Sequence, residues 1–276
     1  MAGVIVVFDF DKTIIDVDSD DWVIDGLGLT ERFNELLHTM PWNCLMVGLL
    51  LDKLLGELNE QGRTIEDIAA CLKSIPLHPQ IISAIKSAYS LGCDLRVVSD
   101  ANMFYIETIL KHHELFDYFS EINTNPSYVD DNGRLTIVPY HDFHTSVHGC
   151  ALCPPNMCKG LIIDRIRDST MKDSTAAKKF IYLGDGRGDY CPALKLDESD
   201  KVLPRKDYPL WNLIQKNPQL IRAEIHAWCN AAELEETLVQ LIHANTSDSI
   251  AADCKSLSAL PSHHEALVLH PLPVQQ

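Results

Sequence analysis

Val4-Ile5-Val6-Val7-Phe8-Asp9-Phe10-Asp11-Lys12-Thr13 decides the fold. Its first five residues are an unbroken apolar run rich in β-branched side chains, the pattern of a strand covered on both faces in a parallel sheet. The run stops at Asp9 and Asp11, which share one face in extended geometry. Like charges this close raise each other's pKa, so a cation such as Mg²⁺, or a proton on one carboxyl, is needed to make the pair tolerable. The plainer alternative is a helix N-cap, since Asp is favoured there and Thr13-Ile14-Ile15 can open a helix.

The same punctuation recurs twice. Leu95-Arg96-Val97-Val98 runs into Ser99-Asp100, and Phe180-Ile181-Tyr182-Leu183 runs into Gly184-Asp185. Each polar cluster follows a strand pattern, and in open α/β sheets that carboxyl edge is where ligands bind. Between the first two strands, apolar residues fall at helical spacing in Phe33–Leu37, Leu45–Leu58, Ile65–Leu72 and Ile81–Tyr89. That is too much chain for one crossover. The expectation is an α/β fold with a doubly wound parallel sheet: residues 1–18 and 92–244 form the core, and 19–91 form a small helical cap inserted after the first strand. Met103–His112 and Gly160–Arg167 read as helices, and Asp130-Asp131-Asn132-Gly133 as a hairpin turn. From Asn245 the chain is rich in Ser, His and Pro without periodicity, so residues 245–276 are expected to be a loose tail.

The 276 residues carry 23 Lys and Arg against 39 Asp and Glu, a formal net charge of −16. Nucleic-acid binders hold phosphate backbones with clustered Lys and Arg, and this balance argues against that class. Hydrophobic residues make up 46% and charged residues 22%, an ordinary globular composition. The longest apolar stretch, near Leu45–Leu55, is broken by Asp52 and Lys53 well short of the roughly 20 residues that span a bilayer. The N-terminus lacks the basic start and cleavage site of a signal peptide. Nine cysteines, an odd number, fit a reducing compartment, so a cytoplasmic location is expected and the Asn245-Thr246-Ser247 glycosylation pattern is expected to go unused.

Gly184-Asp185-Gly186-Arg187-Gly188-Asp189 joins two acids and three glycines in a tight loop, suited to a hard cation and close backbone approach. Its spacing is wrong for the dinucleotide fingerprint, and no Walker A pattern occurs. Arg187-Gly188-Asp189 would read as an adhesion motif only in a secreted protein. Ser99-Asp100 and Lys159 are unremarkable alone, a cap and a surface lysine. A separate signal is Cys150, Cys153 and Cys158 with His148 nearby, soft ligands sufficient for tetrahedral zinc. No second Cys-x2-Cys pair follows, and free thiols in the loop before Lys159 are the default reading.

Taken together, Asp-x-Asp-x-Thr, a strand-terminal Ser, a Lys and Gly-Asp-x3-Asp form an ordered set at one sheet edge. From Val4 to Leu203 the chain resembles the haloacid dehalogenase (HAD) superfamily of aspartate-nucleophile phosphatases. Asp9–Asp16, Val98–Asn102, Asn156–Gly160 and Leu183–Pro192 look like its phosphoethanolamine/phosphocholine phosphatase family, whose plant members include thiamine phosphate phosphatase-like proteins and inorganic pyrophosphatases. The resemblance implies a HAD-like Rossmannoid core and Mg²⁺. It makes Asp9 the nucleophile and Asp11 the acid and base, with Ser99 and Lys159 on the phosphoryl oxygens. Asp9, the Asp11 carbonyl and Asp185 are the implied metal ligands, with Asp189 supporting the metal or orienting Lys159. Asp20 and Asp100 are the implied substrate-recognition carboxylates, which favour a leaving group carrying a cation: thiamine monophosphate first, then phosphocholine or phosphoethanolamine. Trp22 and Trp42 in the cap could add cation–π contacts or simply pack it. Pyrophosphate hydrolysis is the alternative chemistry, with Lys12 and Arg187 as the local cations. A catalytically idle regulatory protein on the same fold is the reading from another class, disfavoured because Asp9, Asp11, Lys159 and Asp185 are all present.

Overall fold

The computed structural model describes residues 3–39, 49–143, 145–173 and 178–258. β1 (Val4–Phe8) is fully buried and lies centrally in a six-stranded sheet of order β3-β2-β1-β6-β7-β8. The other members are β2 (Asp94–Asn102), β3 (Glu121–Asn125), β6 (Lys179–Gly184), β7 (Lys201–Pro204) and β8 (Glu224–Ile225). All neighbouring pairs are parallel. Alternation along β1 feeds two cores. Val4, Val6 and Phe8 join the core that includes Ile81, Ile85, Ile106, Ile109, Leu234 and Leu238, while Ile5 and Val7 meet Ile162, Ile163, Ile166, Leu210 and Ile214 on the other face. Helices therefore cover both faces, the doubly wound arrangement expected from the apolar run. The strand order reverses between β1 and β6, and this switch point is where such sheets place their ligands.

The segment between β1 and β2 holds α1 (Ser19–Gly26), α2 (Thr30–Thr39), α3 (Leu49–Glu60), α4 (Ile65–Lys73) and α5 (Pro79–Ser90). Asp18 caps α1, accepting from the backbone N–H groups of Asp20 and Asp21 at 3.2 Å each. α1 packs on α4, and Trp22 locks the pair by donating from Nε1 to Cys71 O and to Ser74 Oγ, both at 3.2 Å. Trp42 lies outside the described residues. α5 departs from the expected cap: it packs on β2 and along α10 (Ala231–Ser258), burying Ile81, Ala84, Ile85 and Ala88, and Ser83 Oγ donates to Glu235. It is thus the crossover helix returning to β2, and the cap ends before Pro79 instead of at residue 91. Helical spacing alone cannot tell a cap helix from a crossover helix.

β4 (Ser127–Val129) and β5 (Leu135–Ile137) form the expected antiparallel hairpin around Asp130–Gly133. It leans on α3, where Asp52 receives Arg134 Nη2 at 2.5 Å and the Ile137 N–H at 3.3 Å. α6 (Met103–His112), α7 (Lys159–Asp173), α8 (Tyr190–Ala193) and α9 (Pro209–Lys216) complete the core. The tail expectation is corrected at its start. α10 continues through Asn245 to Ser258, a stretch without Pro or Gly to stop it, and residues beyond 258 lie outside the described set. Among the described residues, no helix is long and apolar enough to cross a membrane.

Candidate active site

β1 delivers Asp9 to the switch point, where its N–H donates to Leu183 O at 2.9 Å and ties it to the end of β6. Asp9 Oδ1 accepts from the Phe10 N–H at 2.8 Å, and the side chain is buried. Lys159, the first residue of α7, enters from the opposite side. Its ammonium lies 2.8 Å from Asp9 Oδ1, 2.9 Å from Asp189 Oδ1 and 3.7 Å from Asp100 Oδ1. At 3% exposure this is not the solvated lysine that a lone Lys suggests in sequence. A buried ammonium persists only where charge partners offset its desolvation, and here three carboxylates do so.

Asp189 is completely buried and saturated. Oδ1 receives Lys159 and the Tyr182 hydroxyl at 2.7 Å, and Oδ2 receives the N–H groups of Asp185 at 3.1 Å and Gly186 at 2.8 Å. Gly184 leaves room for it, because a Cβ there would sit 2.5 Å from Asp189 Cγ. Asp185 stands beside Asp9 across the β1–β6 seam, with Thr13 Oγ1 donating to its Oδ1 at 3.5 Å. Burial is the main cause of a rise in the Asp185 pKa to about 7, with Asp189 adding to it. Burial likewise holds Asp9 well above the usual carboxylate range, reinforced by Asp189 and opposed by Lys159.

Asp11 lies on the next turn of chain, where its carboxylate accepts from the Ser19 N–H at 3.0 Å and Ser19 Oγ at 3.1 Å. Burial, then the charges of Asp18 and Asp20, raise its pKa well above normal. Asp9, Asp11, Lys12, Asp18, Asp100, Lys159, Asp185 and Arg187 line one cleft of about 830 Å³, closed at one side by Leu152–Pro155 and Tyr208. Lys12 pairs with Asp18 at 3.3 Å.

Two anticipated residues stand back from this surface. Ser99 is fully buried and its Oγ accepts from the Ala101 N–H at 3.2 Å. It falls inside β2, which extends past Val98, but at a register break between Val98 and Asn102 that turns Asp100 outward. Asp20 is not among the cleft-lining residues. Its Oδ1 is buried without a hydrogen-bond partner, and burial plus the charge of Asp18 push its pKa up to about 8. Trp22 is likewise outside the cleft, engaged in the α1–α4 contact.

Sequence reasoning missed Ser19 and Tyr182, and quoted Thr13 in its motif without giving it a role. Tyr182 left one signal, since it is the lone hydroxyl in the apolar run Phe180–Leu183. Arg205 was also missed: its guanidinium bonds the Lys12 carbonyl at 2.7 Å and Asp16 at 2.6 Å, stacked between Tyr208 and Trp228, and so props the loop after β1.

The carboxylate oxygens of Asp9, Asp185 and Asp189 lie within 4.8 Å of one another and all three residues are buried. One ammonium against three acids leaves an excess of negative charge, and oxygen-only donors suit a hard divalent cation. The residues present therefore fit Mg²⁺. A sheet edge that gathers a buried carboxylate pair, a desolvated lysine and an acidic glycine loop agrees with what comparison with known proteins shows. The family described as "Putative Phosphatase" matches residues 4–242.

The chain belongs to this phosphatase family.

Family relatives span nearly the whole molecule. The chain is 55% identical to inorganic pyrophosphatase 2 of Arabidopsis thaliana over 87% of its length and 84% of the relative's. It is 53% identical to the thiamine phosphate phosphatase-like protein of the same plant, over 90% of this chain and 99% of that one. It is 32% identical to the human phosphoethanolamine/phosphocholine phosphatase, covering 86% of this chain and 89% of that one. Among solved structures, a HAD family hydrolase from Salmonella enterica superposes with a TM-score of 0.55 at 15% identity, over 82% of this chain and 67% of its own. That likeness shows the fold, the HAD-like Rossmannoid core. As a member of the phosphatase family, the protein is a phosphoester hydrolase.

Proposed function

We propose that the protein is a Mg²⁺-dependent phosphatase of small phosphomonoesters acting through an aspartyl-phosphate on Asp9. Asp9 Oδ attacks phosphorus while the bond to the leaving oxygen breaks, and Asp11 gives its proton to that oxygen. Water then attacks the phosphoryl group, Asp11 takes the water proton, and phosphate leaves with Asp9 regenerated. Burial and the charges of Asp18 and Asp20 raise the Asp11 pKa, which favours the protonated form that a general acid needs. Lys159, held by Asp189, offsets charge on the transferring oxygens, and Ser99, whose buried hydroxyl stands back from the cleft, serves as a second donor only if the site shifts to bring it forward. Mg²⁺ would be held by the Asp9 and Asp185 carboxylates and the Asp11 carbonyl, and supplies further charge neutralisation. Asp189 has its acceptor positions filled, which supports a positioning role toward Lys159 and the 185–186 backbone.

The observation that carries the substrate reading is the charge balance of the cleft. Its lining holds the carboxylates of Asp9, Asp11, Asp18, Asp100 and Asp185 against the cations of Lys12, Lys159 and Arg187. Lys12 and Lys159 are already paired with acids. A leaving group bearing positive charge is favoured beside the exposed Asp100, with Asp20, set back from the lining, as the second carboxylate of this reading. Thiamine monophosphate leads this class, with phosphocholine and phosphoethanolamine in it.

Pyrophosphate is the second reading, favoured by Arg187, which lines the cleft without an ion pair among the described residues, and by the name of the 55% identical relative. Phosphate release from thiamine monophosphate, phosphocholine, phosphoethanolamine and pyrophosphate, with Mg²⁺ or EDTA, separates them. Preference for cationic esters that collapses in Asp20→Asn/Asp100→Asn supports the first reading. Faster pyrophosphate hydrolysis, lost in Arg187→Ala and indifferent to the carboxylate changes, replaces it with the second.

A further inference from the structure

A second cluster borders the cleft through Cys153 and supplies no group to the phosphatase chemistry proposed above. Cys150 and Cys153 lie on the loop before Lys159, Cys158 directly precedes Lys159, and Cys191 lies in α8 just past Asp189. The sulfurs of all four lie within 4.8 Å of one another. Cys150 Sγ is 3.7 Å and Cys158 Sγ 3.8 Å from Cys191 Sγ. A disulfide needs about 2.05 Å, so these are separate thiols. Four sulfurs around a tetrahedral zinc with bonds of about 2.3 Å stand about 3.8 Å apart, the spacing of the two pairs that Cys191 makes with Cys150 and Cys158.

Two further observations favour a built site over chance packing. Gly160 lacks the Cβ that would sit 2.5 Å from Cys191 Sγ, so the start of α7 is shaped to admit that sulfur. His148, the nitrogen ligand that the sequence offers, is committed elsewhere: Nε2 lies 2.9 Å from Pro154 O, and Nδ1 accepts the Cys150 N–H at 3.1 Å. His148 thereby folds the loop that presents Cys150 and Cys153, and Cys191 supplies the fourth ligand.

We infer that Cys150, Cys153, Cys158 and Cys191 form a closed, structural Zn²⁺ site that staples the loop before α7 to α8. The site joins the residue before Lys159 to the segment just after Asp189, so it fixes the two segments whose side chains meet in the Lys159–Asp189 pair. The soft, tetrahedrally spaced thiolate set suits zinc rather than a hard cation, while the oxygen set of the cleft suits a hard cation. Four thiolates and no open position leave the zinc a structural part of the fold.

The test is metal content and spectroscopy of the full chain, which reads the site independently of any phosphatase substrate. Purified without chelator from zinc-supplemented medium, the wild type is expected to hold one zinc per chain, released when a mercurial titrates the thiols. After exchange, Co²⁺ is expected to show sulfur-to-metal charge-transfer absorption and the intense visible bands of tetrahedral thiolate coordination. Cys153→Ser is expected to lose the metal, and the exposed Cys229→Ser to keep it. A wild type without zinc that also fails to give the Co²⁺ spectrum overturns the inference, as does a Cys150–Cys191 or Cys158–Cys191 disulfide in metal-free protein. The wild-type measurements decide the matter even if Cys153→Ser fails to fold.

Discussion

Lys159 Nζ sits 2.9 Å from Asp189 Oδ1 and reaches Asp9 Oδ1 at 2.8 Å from the same position. The two acids divide the work. Asp9 faces the cleft, whereas Asp189 is closed off and spends both oxygens on Lys159, Tyr182 and the 185–186 backbone. A lysine so held keeps its charge where phosphoryl oxygens arrive.

Asp189→Ala removes the anchor and leaves a buried ammonium with one close partner fewer. Losing one member of such a buried pair costs about 3–5 kcal/mol. Urea denaturation is expected to show a loss of that size, together with collapse of phosphate release. Tyr182→Phe deletes only one donor to Asp189 and is expected to cost about 1 kcal/mol, with activity lowered but measurable.

Gly184→Ala tests the same relationship through the backbone. The added Cβ meets Asp189 Cγ at 2.5 Å and Oδ2 at 2.7 Å, and a fully buried carboxylate has nowhere to retreat. Overpacking of this kind costs about 1–3 kcal/mol. A lower thermal midpoint with a larger fall in kcat than rise in KM is expected, since Lys159 moves with Asp189.

Asp20 gives a pH signature. Its carboxyl titrates at about 8 in the fold against the ordinary value of 3.8. Between those values the folded chain keeps a proton that the unfolded chain releases, so stability falls as pH rises through that window and levels off above about pH 8. The slope from this one group is at most about 1.4 kcal/mol per pH unit. Asp20→Asn is expected to be more stable than wild type at the alkaline end and to lose part of the slope. Identical slopes in denaturant titrations across the window would rule this out.

Trp22→Phe separates packing from ligand binding. The variant keeps the ring between α1 and α4 but loses the donations to Cys71 O and Ser74 Oγ. A stability loss of about 1–2 kcal/mol with unchanged substrate ranking is expected. A changed ranking would place the indole at the substrate instead.

Much of the site was legible because its residues sit where apolar runs end. Asp9, Asp11 and Asp185 each follow a strand, and Asp100 follows the apolar run Leu95–Val98 at the β2 register break, so apolar periodicity located all four. Lys159 was legible only through family resemblance; its burial arises from packing of α7 against β2 and α8 and from Asp189, which no local pattern encodes. Tyr182, Ser19 and Cys191 share that cause, since each acts on a residue supplied by another element or the far end of a loop. The cap boundary failed for a related reason, as α5 has the same helical spacing as α4 but a different neighbour. The start of the tail was misread because Ser and Asp weaken helix propensity by only a fraction of a kcal/mol per residue, which does not stop a helix already under way.

The central claim is that Asp9 carries the phosphoryl group. Phosphate release from thiamine monophosphate and pyrophosphate is compared for wild type and Asp9→Asn, each with Mg²⁺ and with EDTA. Turnover by wild type with Mg²⁺, absent with EDTA and reduced at least about a thousandfold in Asp9→Asn, is the expected result. Turnover by Asp9→Asn at a rate near wild type contradicts the account.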